Sequence, residues 1–124
     1  MKRVLIVDDN PVVRTALRVL FQSSGQFSVC GEAASGEDGI EKCKELQPDV
    51  VVLDLAMPRM NGAEVAPVLH SINPRMKIVL FSLFSDLIGH QLASAIGVDA
   101  VVSKREGVHR LIQLIADMPG ELPN

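Results

Sequence analysis

Apolar positions along the chain come in two rhythms. Short unbroken runs at residues 4–7, 50–53, 78–81 and 100–102 are rich in β-branched side chains and do not alternate with polar ones. That is the pattern of strands covered on both faces. A fifth stretch, residues 27–33, carries Ser28 and Gly31 and reads as an edge strand. Between the runs the spacing turns helical. After Asp9, Pro11 suits a first helical position and Val13, Ala16, Leu17 and Leu20 share a face, with the end near Gly25. Ser35 is a good N-cap for a second helix carrying Ile40, Cys43 and Leu46 until Pro48 stops it. A fourth runs from Ser85 through Ile88, Leu92 and Ile96 to a stop at Gly97, and a fifth carries Val108, Leu111, Ile112 and Ile115. The third, after Asn61-Gly62, contains Pro67, which lacks an N–H. The helix therefore either kinks or starts late; the expectation is a late start with Ala63 as cap, which places Pro67 among the first residues, where no partner is lost.

Five strands alternating with five helices, without repeats or an internal linker, predict an α/β three-layer sandwich around a five-stranded parallel sheet. Composition agrees with one domain: 124 residues, 48% of them hydrophobic, are enough for a core that needs no staple. We expect the domain to span residues 1–118. Residues 119–124, with two prolines and a glycine, have the composition of a linker, as in a piece of a longer protein, although a single-domain protein fits as well. With 12 basic against 15 acidic side chains and no basic cluster, a nucleic-acid-binding surface is not expected. No run is long enough to span a bilayer or form a secretory leader, so the expectation is a cytoplasmic protein without membrane contact. Cys30 and Cys43 lack metal-binding spacing and read as small reduced hydrophobes.

The chemistry gathers at the strand ends. In an open parallel sheet the ligand crevice lies beyond the carboxyl ends of the strands. Those ends carry Asp8 and Asp9, Asp54, Ser82, and Ser103-Lys104. Alone, each has an ordinary explanation, and Asp9 just before Asn10-Pro11 reads as a cap or turn former. Together they make an all-oxygen acidic cluster with a hydroxyl and an ammonium beside it. Such a cluster suits Mg²⁺ and a phosphoryl group, with Asp54 left over as nucleophile.

At these residues the sequence resembles the receiver domain of bacterial two-component response regulators. The likeness rests on Val4-Leu5-Ile6-Val7-Asp8-Asp9, on residues 54–62 (Asp-Leu-Ala-Met-Pro-Arg-Met-Asn-Gly), on Ser82 and on Ser103-Lys104, and it runs from Lys2 to about Asp117. The first helix, with Asn10-Pro11-Val12-Val13-Arg14, is most similar to receivers joined to helix-turn-helix (LuxR/NarL-type) DNA-binding domains. The resemblance implies a flavodoxin-like sheet of order 2-1-3-4-5. It implies a domain that is not an enzyme acting on a separate substrate but assists its own phosphorylation and slow dephosphorylation. Asp54 resembles the phosphoacceptor; Asp9, Asp54 and the carbonyl of Ala56 resemble the Mg²⁺ shell, with Asp8 acting through water; Ser82 and Lys104 would contact the phosphoryl oxygens. A sensor histidine kinase is the implied donor, a C-terminal DNA-binding output domain and homodimerisation on phosphorylation the implied consequences.

Three positions depart from the family pattern. Val101 stands where an aromatic switch residue is usual, Leu83 where a small residue is usual, and Arg105 where a proline, often cis, is usual; for Arg105 a trans bond and a shifted loop are expected. The competing reading is therefore a degenerate receiver acting as a phosphorylation-independent interaction module. A flavodoxin-type cofactor protein is excluded by Asp-Asp-Asn-Pro in place of a Gly/Ser/Thr-rich cradle, and a haloacid-dehalogenase-like phosphatase by Asn10 at the second acid's spacing. His70, His90 and His109 read as structural residues on helices, and the broad apolar arc of the fifth helix, with Leu114 and Met118, as core before partner surface.

Overall fold

The computed structural model describes residues 1–83, 91 and 94–119. Five parallel strands, β1 (Lys2–Val7), β2 (Phe27–Ala33), β3 (Val50–Leu53), β4 (Lys77–Ser82) and β5 (Ala100–Ser103), form one sheet of order β2-β1-β3-β4-β5. Each expected strand is present, lengthened by a residue or two where polar ends join the ladder. Helices α1 (Pro11–Ser23), α2 (Gly36–Leu46), α3 (Gly62–Ile72) and α4 (Val108–Ala116) cover it. The helix expected from Ser85 lies largely outside the described residues; residues 94–96 are helical and Gly97 follows at φ +76°, the stop expected there. Residues 120–124 of the expected tail also lie outside the described residues.

Because successive side chains of a strand point to opposite faces, the unbroken apolar runs feed two cores. Leu5, Val7, Val51, Leu53, Ile78 and Leu80 pack with Cys43 of α2 and Val65, Ala66 and Leu69 of α3. Val4, Ile6, Val50, Val52, Val79 and Phe81 pack on the other face with Leu17 and Phe21 of α1 and Leu111 and Ile115 of α4. Ile112, Leu114 and Met118 join this second core as half-buried neighbours, so the broad arc of α4 is spent mainly on packing. Between Val4 and Leu5 the β1/β2 register shifts, leaving Cys30 as the extra residue. Its thiol points to the Val4 carbonyl at 3.5 Å. Both cysteines are free, and burial pushes their pKa up, that of Cys43 to about 12, so neither is a nucleophile at neutral pH.

Two helix readings need correction. On α1 the row facing the core is Leu17 and Phe21, both buried, with Val13 half-buried four residues before, while Ala16 is exposed and Leu20 half-buried. A strict i, i+4 row suffices because Phe21 meets Phe27 edge to face, with ring centroids 5.2 Å apart. The late start of α3 is also wrong. Asn61 caps the helix at Gly62 through a reciprocal box with Glu64, whose N–H reaches Asn61 Oδ1 at 3.0 Å while Glu64 Oε1 accepts the Asn61 N–H at 3.2 Å. Pro67 therefore sits inside the helix. Its ring lies on the exposed face, while Val65, Ala66 and Leu69 are buried, so the helix gives up one backbone donor without breaking its contact with the core. At the other departures, no peptide bond among the described residues is cis, and Leu83 is 64% exposed instead of crowding the strand ends. Val101 packs half-buried against the α2/α3 core. His70 and His109 are exposed, and His90 lies outside the described residues.

Candidate functional site

The sheet order reverses direction between β1 and β3, so the chain ends of these two strands open the crevice of the fold. Beyond β1 the ladder runs one residue further, with the Asp8 N–H donating to the Ala33 carbonyl at 3.0 Å. Asp8 Oδ1 then accepts the Asn10 N–H at 2.9 Å, an Asx-type turn that bends the chain and leaves Asp9 at the surface. Asn10, not Asp9, caps α1, its Oδ1 accepting the N–H groups of Val12 and Val13. The cap duty expected of Asp9 thus falls to its neighbour, and the Asp9 carboxylate is left for the cluster.

Beyond β3, Asp54 donates its N–H to the Val7 carbonyl at 2.9 Å and accepts the Ala56 N–H on Oδ1 at 3.3 Å. The loop that follows folds back tightly, the Gly62 N–H reaching the Leu55 carbonyl at 2.9 Å. A Cβ at Gly62 would stand 2.6 Å from the Asp54 carbonyl oxygen and 2.9 Å from the Leu55 Cα, so only glycine closes this loop against the site. Arg59 takes a left-handed φ of +65° on the way.

The result is a convergence of four of the expected residues. Oxygen atoms of Asp8, Asp9 and Asp54 all lie within 4.8 Å of one another. Lys104, reaching in from the end of β5 with its side chain 15% exposed, puts Nζ 2.9 Å from Asp8 Oδ2 and 3.7 Å from Asp54 Oδ1. Ala56 joins through its N–H. Ser82 stands buried at the same edge, at the end of β4 and opposite Ser103 in the β4/β5 register.

At that spacing each carboxylate pair repels by about 3 kcal/mol at an effective dielectric of ~20. One ammonium cannot balance three carboxylates, and the remainder is two negative charges, the amount a divalent cation cancels. The donor set contains only oxygen, with the exposed Asp9 on the solvent side, so it fits a hard, partly hydrated cation such as Mg²⁺. The pKa of Asp54 rises to about 6: burial contributes most and the Asp8 charge next, while Lys104 and the Ala56 N–H pull it back.

Arg14 was not among the expected site residues. Its Nη1 donates to the Asp8 carbonyl at 2.7 Å, and its Nε lies 3.6 Å from Glu32 Oε1. Arg18 Nη1 holds the other Glu32 oxygen at 2.6 Å. The Asp8 carbonyl, past the end of β1, is thus tied to α1 and β2. Arg14 lies three residues after Pro11, one turn into a helix whose start was legible, and that spacing was the available signal.

Comparison with known proteins identifies the family of this fold. Residues 4–116 match the model of the response regulator receiver domain. The chemotaxis protein CheY of Thermotoga maritima is 43% identical over 81 residues, 65% of this chain and 67% of that protein. The putative positive transcription regulator of virulence factors BvgA of Bordetella pertussis is 38% identical over 89% of this chain, a region that makes up 52% of BvgA. This chain therefore spans about half of that regulator. Among solved structures, the signal receiver domain of the putative response regulator NarL from Mycobacterium tuberculosis superimposes with a TM-score of 0.85 at 30% identity, covering 94% of each chain. A LuxR-family two-component response regulator from Aurantimonas gives a TM-score of 0.88 at 28% identity, over 94% of this chain and 83% of its own. With residues 4–116 matched, this chain belongs to the receiver domain family of two-component response regulators.

Proposed function

We propose that this domain accepts a phosphoryl group on Asp54 from a sensor histidine kinase, with Mg²⁺ as cofactor, and passes the change to an output partner. The observation that carries the reading is the buried Asp54 carboxylate, set between two further acids and the Lys104 ammonium. With a pKa of about 6, Asp54 is largely ionised above pH 7 and serves as the nucleophile. Its oxygen attacks phosphorus in line, the phosphorus bond to the donor's imidazole nitrogen breaks, and the leaving imidazole keeps the electron pair and takes up a proton. Asp8, Asp9, Asp54 and the Ala56 carbonyl would hold Mg²⁺, Asp8 through water. The ion would neutralise charge on the transferring group. Lys104 pairs with one phosphoryl oxygen and the Ser82 hydroxyl donates to another, so both report whether Asp54 is modified. The chain does no chemistry on a separate substrate.

Residues 1–118 would form the receiver and residues 119–124 begin a linker. The likeness to BvgA, described as a transcription regulator, supports transcriptional output. We assign that output to a C-terminal DNA-binding domain, with homodimerisation on phosphorylation and no nucleic-acid contact by the receiver itself. Among the described residues no helix is long and apolar enough to cross a membrane. Mass spectrometry after incubation with acetyl phosphate and Mg²⁺ tests the reading: one phosphoryl adduct is expected, absent in Asp54→Asn. A folded protein that gains no adduct would instead be an interaction module independent of phosphorylation.

A further inference from the structure

Lys104 leaves β5 in a single 3-10 turn, Lys104–Glu106, and that turn is closed at its start by its own neighbours. Ser103 Oγ accepts the Arg105 N–H at 3.2 Å, and Glu106 Oε2 accepts the Ser103 N–H at 2.8 Å. At its end, Gly107 adopts φ +88° and returns its N–H to the Lys104 carbonyl at 3.3 Å. The backbone on both sides of Lys104 is therefore held by three hydrogen bonds, at the point where the strand ladder stops and the following residue is an arginine with a trans peptide bond. A lysine has four rotatable side-chain bonds, and an ammonium on an unrestrained backbone would spread over many positions. Here it reaches two named carboxylates across the sheet. Glu106 is itself exposed, and its hydrogen bond goes to the Ser103 amide and not to the acidic cluster.

We infer that Glu106 is a positioning residue for Lys104: through the Ser103 amide it closes the turn that aims the ammonium at Asp8 and Asp54. The inference rests on the proposed role of Asp54 and Lys104 in phosphoryl transfer. Losing one side of such a box typically shifts the closed population about fivefold.

The first readout needs neither metal nor phosphate. Acetylation of Lys104 by acetic anhydride, followed by peptide mass spectrometry, is expected to run about fivefold faster in Glu106→Ala than in the wild type. Glu106→Gln, which keeps an accepting oxygen, should label at the wild-type rate. Ser103→Ala, which opens only the other side of the box, supplies a second variant should Glu106→Ala prove unfolded by circular dichroism, and it too should label faster. The second readout is the rate of Asp54 phosphorylation by acetyl phosphate at saturating Mg²⁺: it should fall in Glu106→Ala, return in Glu106→Gln, and fall no further when Glu106→Ala is added to Lys104→Ala. Unchanged labelling of Lys104, failure of the glutamine to restore it, or an equal loss of rate in the Lys104→Ala background would overturn the inference. A wild-type protein that gains no adduct would instead overturn the functional reading, and the labelling experiment would still decide the role of Glu106.

Discussion

Replacing Asp54 by asparagine is expected to stabilise the metal-free domain at neutral pH. Asp54 lies among Asp8 and Asp9 from the β1 end and Lys104 from the β5 end, and its pKa is raised from 3.8 to about 6, chiefly by burial. A carboxyl that holds its proton more tightly folded than unfolded favours folding while protonated. Stability is lost as pH climbs from 3.8 to about 6 and stays lowered above it. A rise of about two units, at about 1.4 kcal/mol each, makes the penalty at pH 7.5 about 3 kcal/mol at most. Asparagine keeps the shape, carries no charge, and leaves Lys104 its 2.9 Å pair with Asp8. The expected gain is about 1–3 kcal/mol at pH 7.5, or roughly 5–10 °C in melting temperature, shrinking towards zero near pH 4. With neither Trp nor Tyr in the chain, the assay is far-UV circular dichroism during heating, with wild type and variant compared across pH in chelator. Saturating Mg²⁺ should narrow the gap by stabilising the wild type more. A variant no more stable at pH 7.5, or a gain of the same size at pH 4, would refute the electrostatic account of this site.

Three further outcomes follow from the structure. Arg14→Ala should cost about 1–2 kcal/mol of stability and weaken Mg²⁺ binding in calorimetry, because the Asp8 carbonyl loses its charged donor; unchanged affinity would confine Arg14 to packing. Pro67→Ala should stabilise the domain by about 1–3 kcal/mol in thermal unfolding, since α3 runs through this position and alanine supplies the missing N–H; a loss would mean that the ring packs better than its exposure indicates. Ala56→Asn combined with Phe84→Glu, a position outside the described residues, should shorten the lifetime of phosphorylated Asp54 after donor removal, because Ala56 is exposed and neither native side chain can orient a water. An equal or longer lifetime would sink that view.

The strands were legible because double-faced burial leaves an unmistakable trace: side chains buried on both faces of a sheet must be apolar without alternation, and residues 4–7 and 50–53 are. Helix starts were legible where one capping side chain decides them, as Ser35 does for α2. They were misread where two local rules compete. At α3 the rule against proline inside a helix argued for a late start, but the Asn61 and Glu64 box, the tight return of Gly62 against Asp54 and the burial of Val65, Ala66 and Leu69 outweigh one missing hydrogen bond. At Asp9 the preference of Asp for caps could not show that Asn10 one residue later does that work.

The alternation of strands and helices and the set of polar residues at the strand ends are written in local patterns, because burial and hydrogen-bonding preferences act over a few neighbouring positions. How those ends meet is set by the folded arrangement. The 4.8 Å spread of the three carboxylates depends on β1 and β3 lying side by side at the reversal of strand order. The raised pKa of Asp54 depends on burial summed over the whole fold, and the ties of Arg14 to the Asp8 carbonyl and of Glu106 to the Ser103 amide depend on turn geometry. These are distances between groups that the chain keeps far apart or bends sharply together, and Coulomb and hydrogen-bond energies depend on distance, which no local pattern encodes.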